Sequence, residues 1–285
     1  NSVFEGITGF ALLRGYEEET GSLRYESWEM QEAFLEEVTN KFEAGELDLK
    51  IVIREIVLSK YFRAVDHTEA SESELLFAGT ARLLTPEELD KRILATTGVQ
   101  WGTNLSDRYR LLYGGIDSNG VSVRLTEPNG VIAAVGSRMA NNVSCLAVAP
   151  DFVVPKEQRR LFPYVEKTYQ PYTEDGFDVP MVQENIRLNI QHLFLRILGQ
   201  DLTLDDPEIE IAYQLWLDLY KEGKELVEDG TESQYLQYTC RSVWDPITRE
   251  VLPSELNYYH DQYYTMRAWR GVLTYLLADY HFLVE

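Results

Sequence analysis

A run of chemically active side chains lies near the C-terminal end of the chain, where His260 and Asp261 are followed by Tyr263 and Tyr264. An imidazole beside a carboxylate is a common acid–base pair, and histidine is also a frequent metal ligand. These four residues therefore form a candidate redox or acid–base cluster, in which His260 could serve as an axial ligand. The alternative is an aromatic helix start that packs at the edge of a domain.

A second candidate is the glycine-rich loop of residues 114–130. Asp117, Asn119 and Glu127 offer the hard oxygen ligands that calcium prefers, and Arg124 offers a bidentate donor. The sequence Asp-Ser-Asn-Gly shares a fragment with EF-hand loops, but a proline stands where that motif needs its bidentate glutamate, so an EF-hand is excluded. The loop predicts either a calcium or small-ligand site of another kind, or a turn whose carboxylates pair with nearby arginines.

The chain has only two cysteines, Cys145 and Cys240, and neither belongs to a CxxC or CxxCH motif. The sequence therefore predicts no covalently bound c-type haem. The even count favours one long-range disulfide, provided that the chain is exported to an oxidising compartment. In the chain-entropy model such a bond stabilises the fold by roughly 4–5 kcal/mol. Two unrelated thiols are the alternative.

Motifs of several common enzyme classes are absent from the sequence, namely GxSxG, the Walker loop, GxGxxG and HExxH. Adjacent carboxylates are frequent, but they lie near predicted helix N-termini, where the helix dipole favours them without catalysis. The sequence thus leaves open whether the chain is an enzyme.

The charge balance restricts the class of partner. Asp and Glu number 47 against 26 Lys and Arg, a net charge of −21. Such a surface repels phosphate backbones and anionic membranes, and it attracts cations and basic proteins. We therefore expect no nucleic-acid partner. We also expect no transmembrane segment, because no run reaches the ~18 consecutive apolar residues that a membrane helix needs.

The elements that must position these residues are mostly helices. The capping box of Thr85 and Glu88, with Pro86 between them, is the clearest local signal. Apolar periodicity and caps predict helices over residues 27–42, 48–62, 86–98, 106–113, 131–148, 181–198, 207–228 and 254–280. The predicted fold is all-α or nearly so, an irregular multi-helix domain with long Pro/Gly-rich loops.

Two regions are predicted along the chain. Residues 1–65 form an N-terminal helical segment, which we expect to be the end of a longer precursor that was truncated or cleaved. Residues 66–285 form the main helical domain. Five prolines lie between residues 150 and 180, so an ordered loop or internal boundary is expected there.

Several stretches are distinctive as a set: 56–64 (IVLSKYFRA), 83–89 (LLTPEEL), 110–118 (RLLYGGIDS), 127–130 (EPNG), 138–141 (RMAN), 267–269 (RAW) and 275–277 (YLL). Together they resemble uncharacterised domains of large exported proteins of planctomycete type and of their proteobacterial relatives. The resemblance covers most of the chain after about residue 45. It implies export and a c-type cytochrome module as neighbour. Because this chain lacks CxxCH, the haem would lie on a missing module or a partner.

The resemblance and the charge together favour an accessory, docking or structural module of an exported, cytochrome-associated protein, supporting electron transfer or assembly. Its partner would be a c-type cytochrome module or another subunit, and its location periplasmic, cell-surface or secreted. An extracytoplasmic enzyme, redox or hydrolytic, with its site in the tyrosine–histidine–aspartate cluster or the glycine-rich loop, is the alternative. A third hypothesis is a structural subunit that forms a homo-oligomer through its aromatic surface.

Overall fold

The protein is an assembly of α-helices joined by long irregular loops. The computed structural model describes residues 2–9, 11–14, 20–63, 83–102, 107–125, 129–244, 250–253 and 258–284. Helix makes up 61% of this described part, which holds eleven α-helices and, apart from isolated bridges, no strand or sheet. The predicted all-α fold class is therefore confirmed.

The helices follow one another as α1 (Ser2–Thr8), α2 (Leu23–Ala44), α3 (Leu49–Leu58), α4 (Lys60–Arg63), α5 (Pro86–Thr97), α6 (Asp107–Leu112), α7 (Gly130–Val153), α8 (Pro180–Leu193), α9 (Pro207–Glu228), α10 (Thr265–Leu277) and α11 (Tyr280–Leu283). A π-helical turn, Phe194–Leu198, extends α8. Short 3-10 turns lie at Lys156–Gln158 and Tyr238–Cys240.

The chain divides into two compact units, residues 1–83 and residues 84–284. The sequence predicts a division after residue 65, and residues 64–82 lie outside the described part. The expected loop or boundary near residues 150–180 falls within the second unit.

The first unit has a small aromatic core. Ser22 and Asp48 cap α2 and α3 with their side chains. The ring of Tyr61 lies 5.5 Å from that of Phe4 and 5.2 Å from that of Phe34, measured between ring centres. The apolar faces of the four helices therefore meet around these rings.

Helix α5 begins and ends as its sequence predicts. Thr85 accepts a hydrogen bond from the N–H of Glu88, and the Glu88 carboxylate accepts one from the N–H of Thr85. Pro86 occupies the first helical position, and Gly98 ends the helix in a left-handed conformation with φ of 79°. The predicted capping box is confirmed.

Helix α7 is the central element of the second unit, and α10 packs along it. Asn129 caps its first turn by accepting hydrogen bonds from two backbone N–H groups at 3.0 Å. Many of its buried residues are Ala, Gly or Ser, so neighbouring elements approach closely.

By length and composition alone, helix α7 could also cross a membrane, since its most apolar window has a mean hydropathy of 1.3. In the structure, 56% of that window is buried inside the protein. Core helices pass the same test, so the expected absence of a transmembrane segment stays a prediction.

Helix α10 also lies against α9. A Cβ at Gly271 would overlap the side chain of Leu219, so glycine permits this close approach. The ring of Trp269 lies 5.6 Å from that of Trp216 on α9 and 5.3 Å from that of Phe162. Large aromatic side chains therefore fill the space between the helices and the loop that covers them.

The long loop of residues 155–179 is fixed by a buried carboxylate. Asp151, near the end of α7, accepts hydrogen bonds from the backbone N–H groups of residues 160, 161 and 162 at 2.9, 3.0 and 2.9 Å. Burial raises the pKa of this carboxyl, while the hydrogen bonds act in the opposite direction. Arg159 adds an ion pair to Glu166 at 2.8 Å. These bonds fix a segment that has no helical periodicity.

The C-terminal helix begins later than the sequence predicts. A helix was expected over residues 254–280, but α10 begins at Thr265. Residues 258–264 are irregular because two antiparallel bridges join them to residues 235 and 242. The prediction is therefore wrong over residues 258–264, and the four residues before them lie outside the described part.

Candidate functional site

His260, of the predicted tyrosine–histidine–aspartate cluster, lies in the irregular segment that leads into α10. Its side chain is exposed, and its backbone forms an antiparallel bridge with Tyr235. The centre of its imidazole lies 4.5 Å from the ring of Tyr235 and 4.7 Å from that of Tyr259. The imidazole therefore lies in a cluster of rings that are tilted relative to it, at the protein surface.

Asp261 is buried, and its carboxylate is occupied by α10. Oδ1 accepts a hydrogen bond from the N–H of Met266 at 3.0 Å, and Oδ2 accepts one from the N–H of Arg267 at 3.1 Å. The Nε of Arg267 donates to Oδ2 at 3.0 Å, and its Nη2 donates to the carbonyl oxygen of Asp261 at 2.9 Å. Asp261 thus caps the helix and fixes one guanidinium group.

Tyr264 precedes α10 in a left-handed backbone conformation, with φ of 62°, which is uncommon for a bulky residue. A Cβ at Gly223 of α9 would overlap its ring, so the ring reaches this place only because residue 223 is glycine. The guanidinium of Arg267 lies over the same ring, 4.0 Å from its centre. Strained residues of this kind concentrate at functional sites, and this one borders the larger cavity described below.

Tyr263 and His260 border a separate small cavity of about 210 Å³, together with Lys167. The Nζ of Lys167 lies 3.9 Å from the ring centre of Tyr258, and burial lowers the pKa of this ammonium group. The predicted cluster is thus divided, because His260 and Tyr263 border this cavity whereas Tyr264 borders another.

The larger cavity, of about 560 Å³, lies between α7, α9, α10 and the loop of residues 232–241, and we call it the disulfide cavity. The apolar part of its wall consists of Val148, Ala149, Leu219, Leu236 and Met266. Its uncharged polar side chains include Asn141, Ser144, Ser233, Gln237 and Thr274. The hydroxyl oxygens of Ser144 and Thr274 lie 2.7 Å apart and share a hydrogen bond. Such a mixed wall is typical of small-molecule sites.

Three half-buried arginines also line the disulfide cavity, namely Arg241, Arg267 and Arg270. Arg241 donates through Nε to the carbonyl oxygen of Leu236 at 2.7 Å. Arg270 directs Nη1 to the sulfur of Cys240 at 3.6 Å, and burial lowers the pKa of its guanidinium. A cavity with three guanidinium groups is thus present in a chain of net charge −21.

The predicted cysteine pair is confirmed. The sulfur atoms of Cys145 and Cys240 lie 2.05 Å apart and their Cα atoms 4.6 Å apart. This bond fastens the 232–241 loop to α7, and both cysteines line the disulfide cavity. Cys145 also borders a third cavity, of about 310 Å³, which is lined by the stacked rings of Trp101 and Tyr109.

In the glycine-rich loop, the side chains of Asp117 and Arg124 contact groups of the protein itself. Oδ1 of Asp117 accepts a hydrogen bond from the N–H of Asn119 at 3.0 Å, and Arg124 lies 3.5 Å from the Glu87 carboxylate. Glu127 lies outside the described residues. Within the described part, no three His, Cys, Asp or Glu side chains are grouped to hold a metal ion. The calcium or ligand hypothesis for this loop stays a prediction.

Comparison with known proteins assigns no family. No family model matches the chain, and neither a curated protein nor a solved structure matches it. Any function of the candidate site therefore has to follow from its geometry.

The arginines of the disulfide cavity are not among the site residues predicted from the sequence. Arg267 and Arg270 are three residues apart, a spacing that places both on one face of a helix. Arg241 directly follows Cys240 and so is brought close by the disulfide. Two basic residues on one helical face of a very acidic chain are the signal that could have identified them.

Proposed function

We propose that this chain is an extracytoplasmic binding module that holds a small molecule in the disulfide cavity. The proposal rests on the cavity itself, which has a volume of about 560 Å³ and a wall that combines apolar side chains with guanidinium groups. Small-molecule sites usually measure roughly 300–1,000 Å³ and combine an apolar wall with a few placed polar groups. The disulfide supports an oxidising compartment, because such bonds are rare in the cytosol.

The wall of the cavity is fixed before any ligand arrives. The disulfide holds the 232–241 loop, Asp261 holds Arg267, and Gly223 admits the ring of Tyr264. Binding to a preorganised site costs less conformational entropy than binding to a site that must first order itself. This rigidity supports a binding role for the cavity.

A variant that obstructs the cavity at its rim tests the proposal. Gln237 is exposed and lines the cavity, so Gln237→Trp introduces an indole at the rim without changing the core. We expect a library of neutral, acidic and basic small molecules to contain compounds that raise the Tm of the parent protein but not of this variant. A compound present at 100 times its Kd stabilises the folded state by about 2.7 kcal/mol.

The matched control is Tyr238→Trp. Tyr238 is 83% exposed and does not line the cavity, so the same indole lies one residue further along the loop. Compounds that stabilise the parent should stabilise this variant equally. A library in which every active compound acts equally on the parent and on Gln237→Trp would refute the proposal.

Electrostatic docking of a basic protein is the second candidate function, favoured by the acidic face of α2. Glu29, Glu32 and Glu36 follow one another at helical spacing and share this face with Tyr25 and Trp28. With the net charge of −21, this face suits a basic partner such as a c-type cytochrome module, as the sequence resemblance implies. In this role the chain supports electron transfer or assembly.

Salt dependence tests this second function. We expect binding to a basic c-type cytochrome, measured by calorimetry, to weaken steeply between about 20 and 200 mM salt, because exposed charges are screened over that range. The triple variant Glu29→Gln, Glu32→Gln and Glu36→Gln should weaken binding at low salt. The charge-matched triple Glu157→Gln, Glu174→Gln and Asp175→Asn should weaken it less. Affinity that is constant across the salt range would contradict electrostatic docking.

A further inference from the structure

The three arginines of the disulfide cavity differ in what they are already bound to. Arg267 is paired with the Asp261 carboxylate at 3.0 Å, and its Nη1 lies 3.9 Å from Glu232. Arg241 has its Nε bound to the carbonyl oxygen of Leu236. These two guanidinium groups therefore have oxygen acceptors within the protein.

Arg270 has no such oxygen acceptor among the described residues. Among the carboxylates that the structure describes, none forms an ion pair with Arg270, and its one hydrogen-bond acceptor there is the sulfur of Cys240 at 3.6 Å. Sulfur is a weak acceptor, whereas a guanidinium offers five N–H donors in a planar fork. Burial disfavours its charged form and lowers its pKa. A carboxylate that enters the cavity would supply the missing acceptors.

We propose that the disulfide cavity binds a small organic acid whose single carboxylate pairs with Arg270 and whose uncharged body lies against the apolar wall. This inference rests on the proposed binding function of the same cavity. A guanidinium fork matches the two oxygens of a carboxylate, and such charge-assisted pairs are stronger than neutral hydrogen bonds.

The remainder of the wall disfavours a second anionic group beside Arg267. Glu232 borders the cavity beside Arg267 and repels a second negative charge at that place. Val148, Leu219 and Met266 offer no partner for a charged group, but they suit an alkyl or aryl body. A monocarboxylate with an apolar chain therefore satisfies both parts of the wall.

The experiment compares octanoate with octanamide, which has the same carbon chain but no charge. We expect octanoate to raise the Tm of the parent protein and octanamide to do so much less. Arg270→Gln, which removes the charge and keeps hydrogen-bonding groups, should weaken octanoate binding at least about tenfold in calorimetry. Arg270→Lys keeps the charge but loses the planar fork, so it should retain part of the affinity.

Lys91→Gln is the matched control, because it removes one positive charge from an exposed position that does not line the cavity. It should bind octanoate as the parent does. If octanamide binds as tightly as octanoate, or if Arg270→Gln binds octanoate like the parent, the inference is overturned while the binding function stands. If inorganic phosphate binds as tightly as octanoate, the assignment of an apolar body is overturned. If neither octanoate nor octanamide binds the parent, the inference is overturned, whereas the proposed function is decided separately by the compound library and the Gln237→Trp variant.

Discussion

The sequence identifies residues with reactive side chains by their amino-acid type. The role of each residue, however, depends on the direction in which its side chain points. Asp261 stands beside a histidine and two tyrosines in the sequence, which suggests proton transfer. In the fold, its carboxylate instead accepts hydrogen bonds from backbone N–H groups in the first turn of α10, and it forms an ion pair with Arg267. Neighbours in sequence therefore suggested proton transfer, whereas the contacts that Asp261 makes depend on where the helix begins.

The dual role of Asp261 predicts a large effect on stability. Asp261→Ala removes a helix cap and leaves the guanidinium of Arg267, whose side chain is 13% exposed, without its principal partner. We expect a loss of about 3–5 kcal/mol in the free energy of unfolding, because breaking a buried pair leaves an uncompensated charge. Denaturant titration measures this loss.

Asp206→Ala is the control for the cap alone, since Asp206 caps α9 by accepting a hydrogen bond from the N–H of Glu208 at 2.9 Å and forms no ion pair among the described residues. It should cost about 1 kcal/mol. Equal losses in the two variants would mean that the ion pair with Arg267 adds nothing.

Gly223 gives a second prediction at the scale of a residue. Gly223→Ala places a methyl group where the ring of Tyr264 lies, so the ring or helix α9 must shift. Overpacking of this kind costs typically about 1–3 kcal/mol. Gly130→Ala, at a position where a Cβ meets nothing within 4 Å, should leave the Tm unchanged or slightly higher. Thermal unfolding of both variants makes the comparison, and an unchanged Tm for Gly223→Ala would show that Tyr264 adapts freely.

At the scale of elements, local chemistry predicts where a helix begins better than apolar periodicity does. The capping box at Thr85 and the Asp206–Pro207 pair mark their helices correctly, because a cap acts within four residues of chain. The apolar spacing around Trp269 predicted a helix that begins too far toward the N-terminus. Bridges to residues distant in sequence hold residues 258–264 out of the helix. Long-range pairing of this kind leaves no periodic signal.

The anchor of the 155–179 loop predicts a pH effect. The folded pKa of Asp151 is raised above the reference value of 3.8, so the folded protein holds this proton more tightly than the unfolded chain does. The contribution of this group to stability therefore falls as the pH rises from 3.8 through the raised folded pKa, and is constant above it. Asp151→Asn removes this titration, although it leaves one fewer oxygen acceptor for three N–H donors.

The measurement is the Tm of the parent and of Asp151→Asn across that pH range. At low pH the variant should have the lower free energy of unfolding, by about 1–2 kcal/mol. This difference between parent and variant should become smaller as the pH rises. Asp175→Asn, on the exposed surface of the same loop, is the charge-matched control. A difference that stays constant with pH would contradict the raised pKa.

At the scale of the whole molecule, composition and periodicity predicted the all-α class and the cysteine count predicted the disulfide. They did not predict the disulfide cavity, because its wall joins residues of α7, α9, α10 and a loop that lie up to about 130 positions apart, as in the pair Ser144 and Thr274. A cavity is the space that remains after packing, so no single stretch of sequence encodes it.

The division of the chain into two units gives the last prediction. Every side chain that lines the disulfide cavity lies within residues 84–284, and so do both cysteines and helix α7. A unit with its own core can fold alone. We therefore expect a fragment of residues 84–285 to unfold cooperatively on heating and to carry no free thiol by alkylation and mass analysis. Compounds that bind the full chain should also raise the Tm of this fragment. That rise should be lost when the fragment carries Gln237→Trp. A fragment with helical circular dichroism but no cooperative transition would show instead that the second unit needs residues 1–83 to pack its core.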